Sequence, residues 1–243
     1  MNPVLTKGRY NARLSRNAAD IAAAQALRHR AFFGGNGVDR DRFDGTCLHL
    51  LVDKRETGQT VACCRILPLE AGQIGESYSA QYYELSALES FDGRMLEIGR
   101  FCLLPGEDNP DILRIAWGAL AAYVADKKVK MLFGCSSFEG TDAARYMDAF
   151  ALLKARHLAP ERWLPRVKAP RVFRFATQLV ETPDLQLGMQ RMPPLLRTYL
   201  MMGGWVSDHA VVDRQMGTLH VFTGLEIAAI PPARKRLLRA VAA

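Results

Sequence analysis

Apolar side chains recur at helical spacing at Ile21, Ala24, Leu27, Ala31 and Phe32, with Ser15 as a cap in front and Gly34, Gly35 and Gly37 behind, predicting a helix to about Phe33. A loop of acids and arginines follows, VDRDRFDG. Leu48–Val52 and Thr60–Leu67 are apolar, β-prone runs joined by the turn-like DKRETGQ, the signature of an antiparallel pair. Met95–Leu103 (MLEIGRFCL) reads as a further strand. Ile112–Ala125 then has the spacing of a four-turn helix, and the short ADKK connection leads to a strand over Val129–Ser136. Thr141 or Asp142 caps a helix to about Leu153, and a proline-punctuated basic segment intervenes. Pro193 and Pro194 open a helix through Met202 that Gly203 and Gly204 stop, and Trp205–Val212 and Thr218–Ile227 supply the last strands. The order is αββ, βαβ, αββ, which predicts a mixed sheet flanked by helices.

The 243 residues are 49% apolar and 23% charged, which excludes a disordered or collagen-like chain. No linker divides them, so one domain over 1–243 is expected. The longest nearly apolar stretch, Ile115–Ala125, is too short to cross a bilayer, which takes about 20 residues. The basic N-terminus is not followed by the apolar run of a secretory signal, and a cytoplasmic location is expected. Cys47, Cys63, Cys64, Cys102 and Cys135 sit in strand-like runs without metal or redox spacing and read as reduced core residues; adjacent Cys63 and Cys64 should face opposite ways.

Charge alters this picture. Lys154–Arg174 carries a net +6 and the tail (Arg234, Lys235, Arg236, Arg239) a further +4 of a total of +7, so the rest of the chain is acidic. Basic patches attract acidic proteins, anionic lipid and nucleic acid alike, or simply face water. No nucleic-acid motif accompanies these. The tail, about 231–243, sets Leu237, Leu238 and Val241 beside its arginines, as a surface-lying helix on an anionic membrane would.

A polar group inside an apolar strand incurs a desolvation cost, which singles out His49, Arg65, Glu97 and Arg100. Glu97 and Arg100 are three apart, so strict alternation sends them to opposite faces. A β-bulge at Gly99 would return both to one face. The alternative for this pair is a structural ion pair, and for His49 a satisfied core histidine. The loop acids Asp39, Asp41 and Asp44 are candidates for holding an ammonium group. Cys135, Ser136 and Ser137 end a strand without the surroundings of a hydrolase nucleophile.

Read together, RHRAFF, DRFDGTCLHLLV, LEIGRFCLLP, LFGCSSFEGTD and PPLLRTYLMMGGWVSDHAVVD resemble, in order and over about residues 25–225, the ornithine N-acyltransferases of bacterial ornithine-lipid synthesis. Wider relatives are the acyl-homoserine lactone and long-chain N-acyl amino acid synthases, whose polar pattern is similar to Arg28, Phe32, Asp44, Arg65, Glu97 and Arg100. The resemblance implies a GNAT-type, mostly antiparallel sheet with a splayed central strand, carrying a basic insertion at about 154–190. It implies transfer of a 3-hydroxy fatty acyl chain from acyl carrier protein to the α-amine of L-ornithine, giving lyso-ornithine lipid. Glu97 and Arg100 are then the catalytic pair, Arg65, Asp44, His49, Arg28 and Ser136 the substrate-binding set, and Arg166, Lys168 and Arg171 the docking site for the acidic carrier. Asp44 would belong to a loop closing over the acceptor. No metal or resident cofactor is implied, since the acylated carrier is a co-substrate. The pyrophosphate loop of acetyl-CoA users has no counterpart in LLPGEDNPDI, which suits a donor without adenosine diphosphate. Two other readings stand beside this one: a related synthase acylating another amine, and a non-catalytic acyl-chain-binding module.

Overall fold

A computed structural model describes residues 4–180, 182 and 184–236. Along the chain it contains β1 (Leu5–Lys7), β2 (Tyr10–Ser15), α1 (Ala18–Phe32), β3 (Leu48–Lys54), β4 (Thr60–Leu69), β5 (Tyr83–Glu84) and β6 (Met95–Leu103). Then come α2 (Pro110–Asp126), β7 (Met131–Glu139), α3 (Met147–Arg156), β8 (Arg166–Val167), β9 (Val172–Phe173), α4 (Phe175–Gln178), α5 (Leu185–Arg191) and α6 (Pro194–Met201). The chain closes with β10 (Trp205–Val206), β11 (Ala210–Asp213) and β12 (Thr218–Glu226). It is an α+β fold of mostly antiparallel sheet flanked by helices. The described residues include no helix long and apolar enough to cross a membrane.

The contacts cluster into two compact units, each assembled from separate stretches of sequence, which is why no linker is visible. Among the described residues the first comprises 4–68, 96–129 and 232–236. Its strands run in the order β1-β2-β3-β4-β6, with α2 against β1, β2 and β3. The β3–β4 pairing puts Leu51 opposite Cys63 and His49 opposite Arg65, so these four side chains share a face. There α1 packs, burying Ala24 and Leu27 against Leu51, Cys63 and Cys102. Full burial of a leucine contributes about 1.5–3 kcal/mol, so this stripe anchors α1. Cys63 lies in that cluster and adjacent Cys64 does not, as alternation requires, and all five cysteines are free thiols.

Among the described residues the second unit comprises 69–95, 130–180, 182 and 184–231. Its strands run β7-β12-β11-β9, with β10 also on β12 and a separate β5–β8 pair. Phe138, Phe150, Phe175, Leu196, Leu219 and Val221 head an apolar core under α3 to α6. The basic insertion is not an irregular excursion, because it holds β8, β9, α4 and α5, and the last of these packs on α3. Gly188 permits that approach, since a Cβ there would stand 2.8 Å from the Asp148 carbonyl oxygen.

Several boundaries differ from expectation. Ser15 ends β2 opposite His49, and Asn17 instead caps α1, its side chain accepting from the Asp20 N–H at 2.8 Å. Both residues can cap, but strand pairing claims the first. The β1–β2 hairpin was not anticipated. Asp142 caps a 3₁₀ turn over Ala143–Tyr146, and the helix begins only at Met147. Beside Gly99, where a bulge is predicted, the unusual backbone belongs to the next residue: Arg100 has φ 54°. A non-glycine residue in that left-handed region needs surrounding contacts to hold it, and its guanidinium has them. Of the basic tail, Leu237, Leu238, Arg239 and Val241 lie outside the described residues.

Candidate active site

The stripe that docks α1 on the first unit ends in charge. One turn beyond Ala24, Arg28 is fully buried, and its guanidinium forks onto Asp44, with Nη1 donating to Oδ1 at 2.7 Å and Nη2 to Oδ2 at 3.0 Å. Its Nε lies 2.9 Å from Asp39 Oδ2, and Nη2 also donates to the Asp39 carbonyl. Gln25 on the same helix donates to Asp44 Oδ2 at 3.0 Å. Asp44 is thus not on an open loop. It closes a 3₁₀ turn over Arg42–Gly45 in a reciprocal capping box with Asp41, whose backbone N–H donates to Asp44 Oδ2 at 3.1 Å.

The strands supply two more guanidiniums. Arg65 on β4 donates to Asp41 Oδ1, and at 3.3 Å to Asp44 Oδ1. Arg100 on β6 donates through Nε to Asp39 Oδ2 at 3.1 Å, and its Nη2 stands 3.7 Å from Asp41 Oδ2. His49 is fully buried with Nε2 3.0 Å from the Asp44 carbonyl oxygen, so Nε2 carries the hydrogen and donates. Glu97 is buried on β6 and lies within electrostatic range of the Cys47 thiol, as do Arg65, Asp41 and Asp44.

Burial alone would raise the Asp44 carboxyl, but the hydrogen bonds from Arg28, Gln25 and the Asp41 backbone, with the charge of Arg28, hold it well below the usual carboxylate range. Burial, abetted by the charges of Arg28 and Arg65, pushes His49 down against the bond to Asp44, so its imidazole is neutral near pH 7. Burial first, then the neighbouring carboxylates against the pull of Arg65, pushes the Cys47 thiol up to about 11, which leaves it no nucleophile.

The structure therefore brings Arg28, Asp44, His49, Arg65 and Arg100 into one cluster with Glu97 beside it. Ser136 belongs to the second unit, where its hydroxyl accepts from Thr223 at 2.9 Å. Arg166, Lys168 and Arg171 are exposed there, and Lys168 Nζ donates to the Ala80 carbonyl at 2.6 Å. Gln25 escaped notice, and Asp39 and Asp41 were seen only as loop acids. Signals for them existed: a lone glutamine among alanines three residues before Arg28, and the capping-box spacing of Asp41 and Asp44. Among the described residues no group of three or more His, Cys, Asp or Glu is placed to hold a metal ion.

Such a cluster can bind an amino acid by charge, and a buried carboxylate beside it can take a proton from an amine. Residues 26–118, a span containing every member of the cluster but Gln25, match the Acetyltransferase (GNAT) domain family. The L-ornithine N(alpha)-acyltransferase of Rhodobacter capsulatus is 34% identical over 91% of this chain and 91% of its own length. That of Brucella abortus is 31% identical over 92% and 86% respectively. Among solved structures, FeeM, an N-acyl amino acid synthase from uncultured soil microbes, superposes with a TM-score of 0.51 at 10% identity, covering 96% of this chain and 97% of its own, a likeness of fold.

Proposed function

Since the chain belongs to the family of L-ornithine N(alpha)-acyltransferases and is an acyltransferase that modifies an amine, we propose that it moves a 3-hydroxy fatty acyl group from acyl carrier protein to the α-amine of L-ornithine, giving lyso-ornithine lipid. The observation that carries this reading is the buried arginine–aspartate cluster with Glu97 beside it on β6. Only a neutral amine attacks a thioester, and a free α-amine has a pKa of roughly 8 or above. Glu97 is the general base: it takes the ammonium proton, the amine adds to the thioester carbonyl, and the tetrahedral intermediate expels the carrier's thiolate, which leaves as the thiol after receiving a proton. A backbone N–H beside the left-handed residue Arg100 serves the oxyanion. Arg28, Arg65 and Arg100 act through their carboxylate partners, fixing the wall against which the amino acid lies. Neither a metal nor a covalent enzyme intermediate is needed.

The acidic carrier docks on exposed Arg166, Lys168 and Arg171, and the basic tail assists by contact with anionic membrane. The test incubates pure protein with 3-hydroxyacyl carrier protein and a panel of amino acids, and looks for acylated product by mass spectrometry. The expected product forms with ornithine. Acylation of a different amine would favour a related synthase, and no turnover with retained acyl-chain binding would mean a binding module. Glu97→Gln should slow single-turnover acylation by about 10²- to 10⁴-fold with ornithine affinity kept. A wild-type rate in that variant would remove Glu97 from the chemistry.

A further inference from the structure

Among the described residues, the two most exposed large hydrophobic side chains of the first unit stand on one loop: Phe33 is 48% exposed and Val38 61%. The chain between them turns back along α1. Phe33 N–H donates to the His29 carbonyl at 2.8 Å, and Asp39 N–H reaches the Gln25 carbonyl, about two turns down the helix, at 3.2 Å. Left-handed Gly34 and Gly35, with φ 75° and 64°, make that return possible. His29 links the two apolar residues. The Phe33 ring lies 5.4 Å from its ring, and a Cβ on Gly37, next to Val38, would stand 2.3 Å from its Nε2. A Cβ on Gly34 or Gly35 would meet nothing within 4 Å, so the tip of the loop projects.

The exposed charge here is of one sign. Arg30, three residues before Phe33 and so its neighbour on the helix surface, is exposed, as are Arg40 and Arg42. The acids are withdrawn: Asp39 is buried, Asp41 half-buried, and arginines of the cluster engage both. Positions 29–43 thus present three exposed guanidiniums and no exposed acid. Single exposed apolar residues are ordinary. A pair on a projecting loop with cations on either side has the make-up of a surface that sits in a lipid headgroup layer, apolar tips in the acyl boundary and guanidiniums on phosphate. A fluid bilayer admits projecting side chains without a complementary pocket, which a folded protein partner would have to supply.

We infer that the loop 33–42, with Arg30, is a membrane-contact element that seats the first unit on an anionic bilayer. Asp39 and Asp41 of the buried cluster belong to the same loop, so one segment serves both the site and the bilayer. The contact goes beyond the acyl-transfer reading and does not need the basic tail. Under that reading it releases the acylated amino acid beside the membrane its chain prefers.

The experiment measures partition of the full chain, without substrates, onto vesicles of phosphatidylcholine and of equimolar phosphatidylcholine and phosphatidylglycerol. The wild type should bind the anionic vesicles at least about 10-fold more tightly. Arg30→Gln with Arg40→Gln should weaken that binding by about 5-fold for each arginine. Phe33→Ser with Val38→Ser should weaken it by about 10-fold, a loss that persists at high salt. All four side chains are exposed, so both variants should keep the wild-type unfolding midpoint and their turnover in vesicle-free solution, and either variant alone decides. A wild type indifferent to the anionic lipid would overturn the inference, as would folded variants that bind as the wild type does. Unchanged vesicle binding with a raised donor KM in the arginine variant would overturn it too, and make the loop a face for the carrier. Loop-dependent vesicle binding by a protein that acylates no amine would sink the acyl-transfer reading alone.

Discussion

In the first unit most of the buried polar groups are charged: Arg28, Arg65 and Glu97 are each under 5% exposed, and the two arginines are held by carboxylates. In the second the interior is aromatic and aliphatic, and most of its buried polar groups are neutral. There Tyr83 donates to the His220 carbonyl at 2.8 Å, Ser207 to that of His209 at 2.7 Å, and Thr223 to Ser136, while the buried carboxylate of Asp213 caps the turn into β12. Burying ion pairs gains little stability over a hydrophobic replacement of the same shape, whereas removing one partner is severe. The cluster in the first unit therefore depends on its partners, and the core of the second on its packing. The two units should accordingly fail in different ways.

The largest effects test that difference directly. Arg28→Met leaves Asp44 and Asp39 without their main partner and should cost about 3–5 kcal/mol in denaturant unfolding. Phe150→Ala opens a cavity in the second unit and should cost a similar amount, about 3–5 kcal/mol. They separate in the double variants. Adding Asp44→Asn should recover part of the Arg28→Met loss, with a coupling of roughly 0.5–3 kcal/mol, and should do nothing for Phe150→Ala. Strict additivity in both pairs would erase the distinction.

A middle-sized effect is the response to acid. The neutral form of His49 is favoured by folding, so its contribution is complete above its ordinary pKa of 6.5 and is lost as pH falls through the lower folded value. Asp44 behaves likewise with an ordinary value of 3.8, contributing above it and losing that contribution as pH falls further, toward the depressed folded value. Thermal unfolding should therefore weaken in two steps on acidification, and His49→Gln should diminish the first, leaving the share of His157, which burial also lowers. A first step undiminished by His49→Gln would assign it elsewhere.

The smallest effect lies on the surface of the second unit. Arg166→Glu with Arg171→Glu should raise the donor KM several-fold at low salt, with kcat little changed, and the difference should fade near 1 M salt as charges are screened. A KM unmoved at low salt would remove this face from carrier docking.

Much of the framework was legible in the sequence. The β3–β4 hairpin, β6, α2, β7 and α6 emerge from apolar periodicity and end signals within a few residues of their observed limits, because periodicity is a local property that burial of one face enforces. Short β1 and β2 escaped because their alternation is brief and mixed with arginine. Glu97 and Arg100 drew attention because polar groups in an apolar strand are conspicuous, and a departure from regular strand geometry near them was foreseen, one residue early.

What the amino-acid order determined by itself was which stretches fold into strands and helices, where the positive charge gathers, and which few side chains would be expensive to bury. Tertiary structure alone decided how these meet. Arg28 reaches Asp44 across sixteen positions and Arg100 reaches Asp39 across sixty-one, pairings set by β-strand register and by the docking of α1, neither of which any local pattern encodes. The same holds for the left-handed backbone at Arg100, a conformation its side chain disfavours and the bond to Asp39 helps to hold. Distances along the chain say little about distances in space once strands return on one another, and the ion pairs of Arg28, Arg65 and Arg100 exist only there.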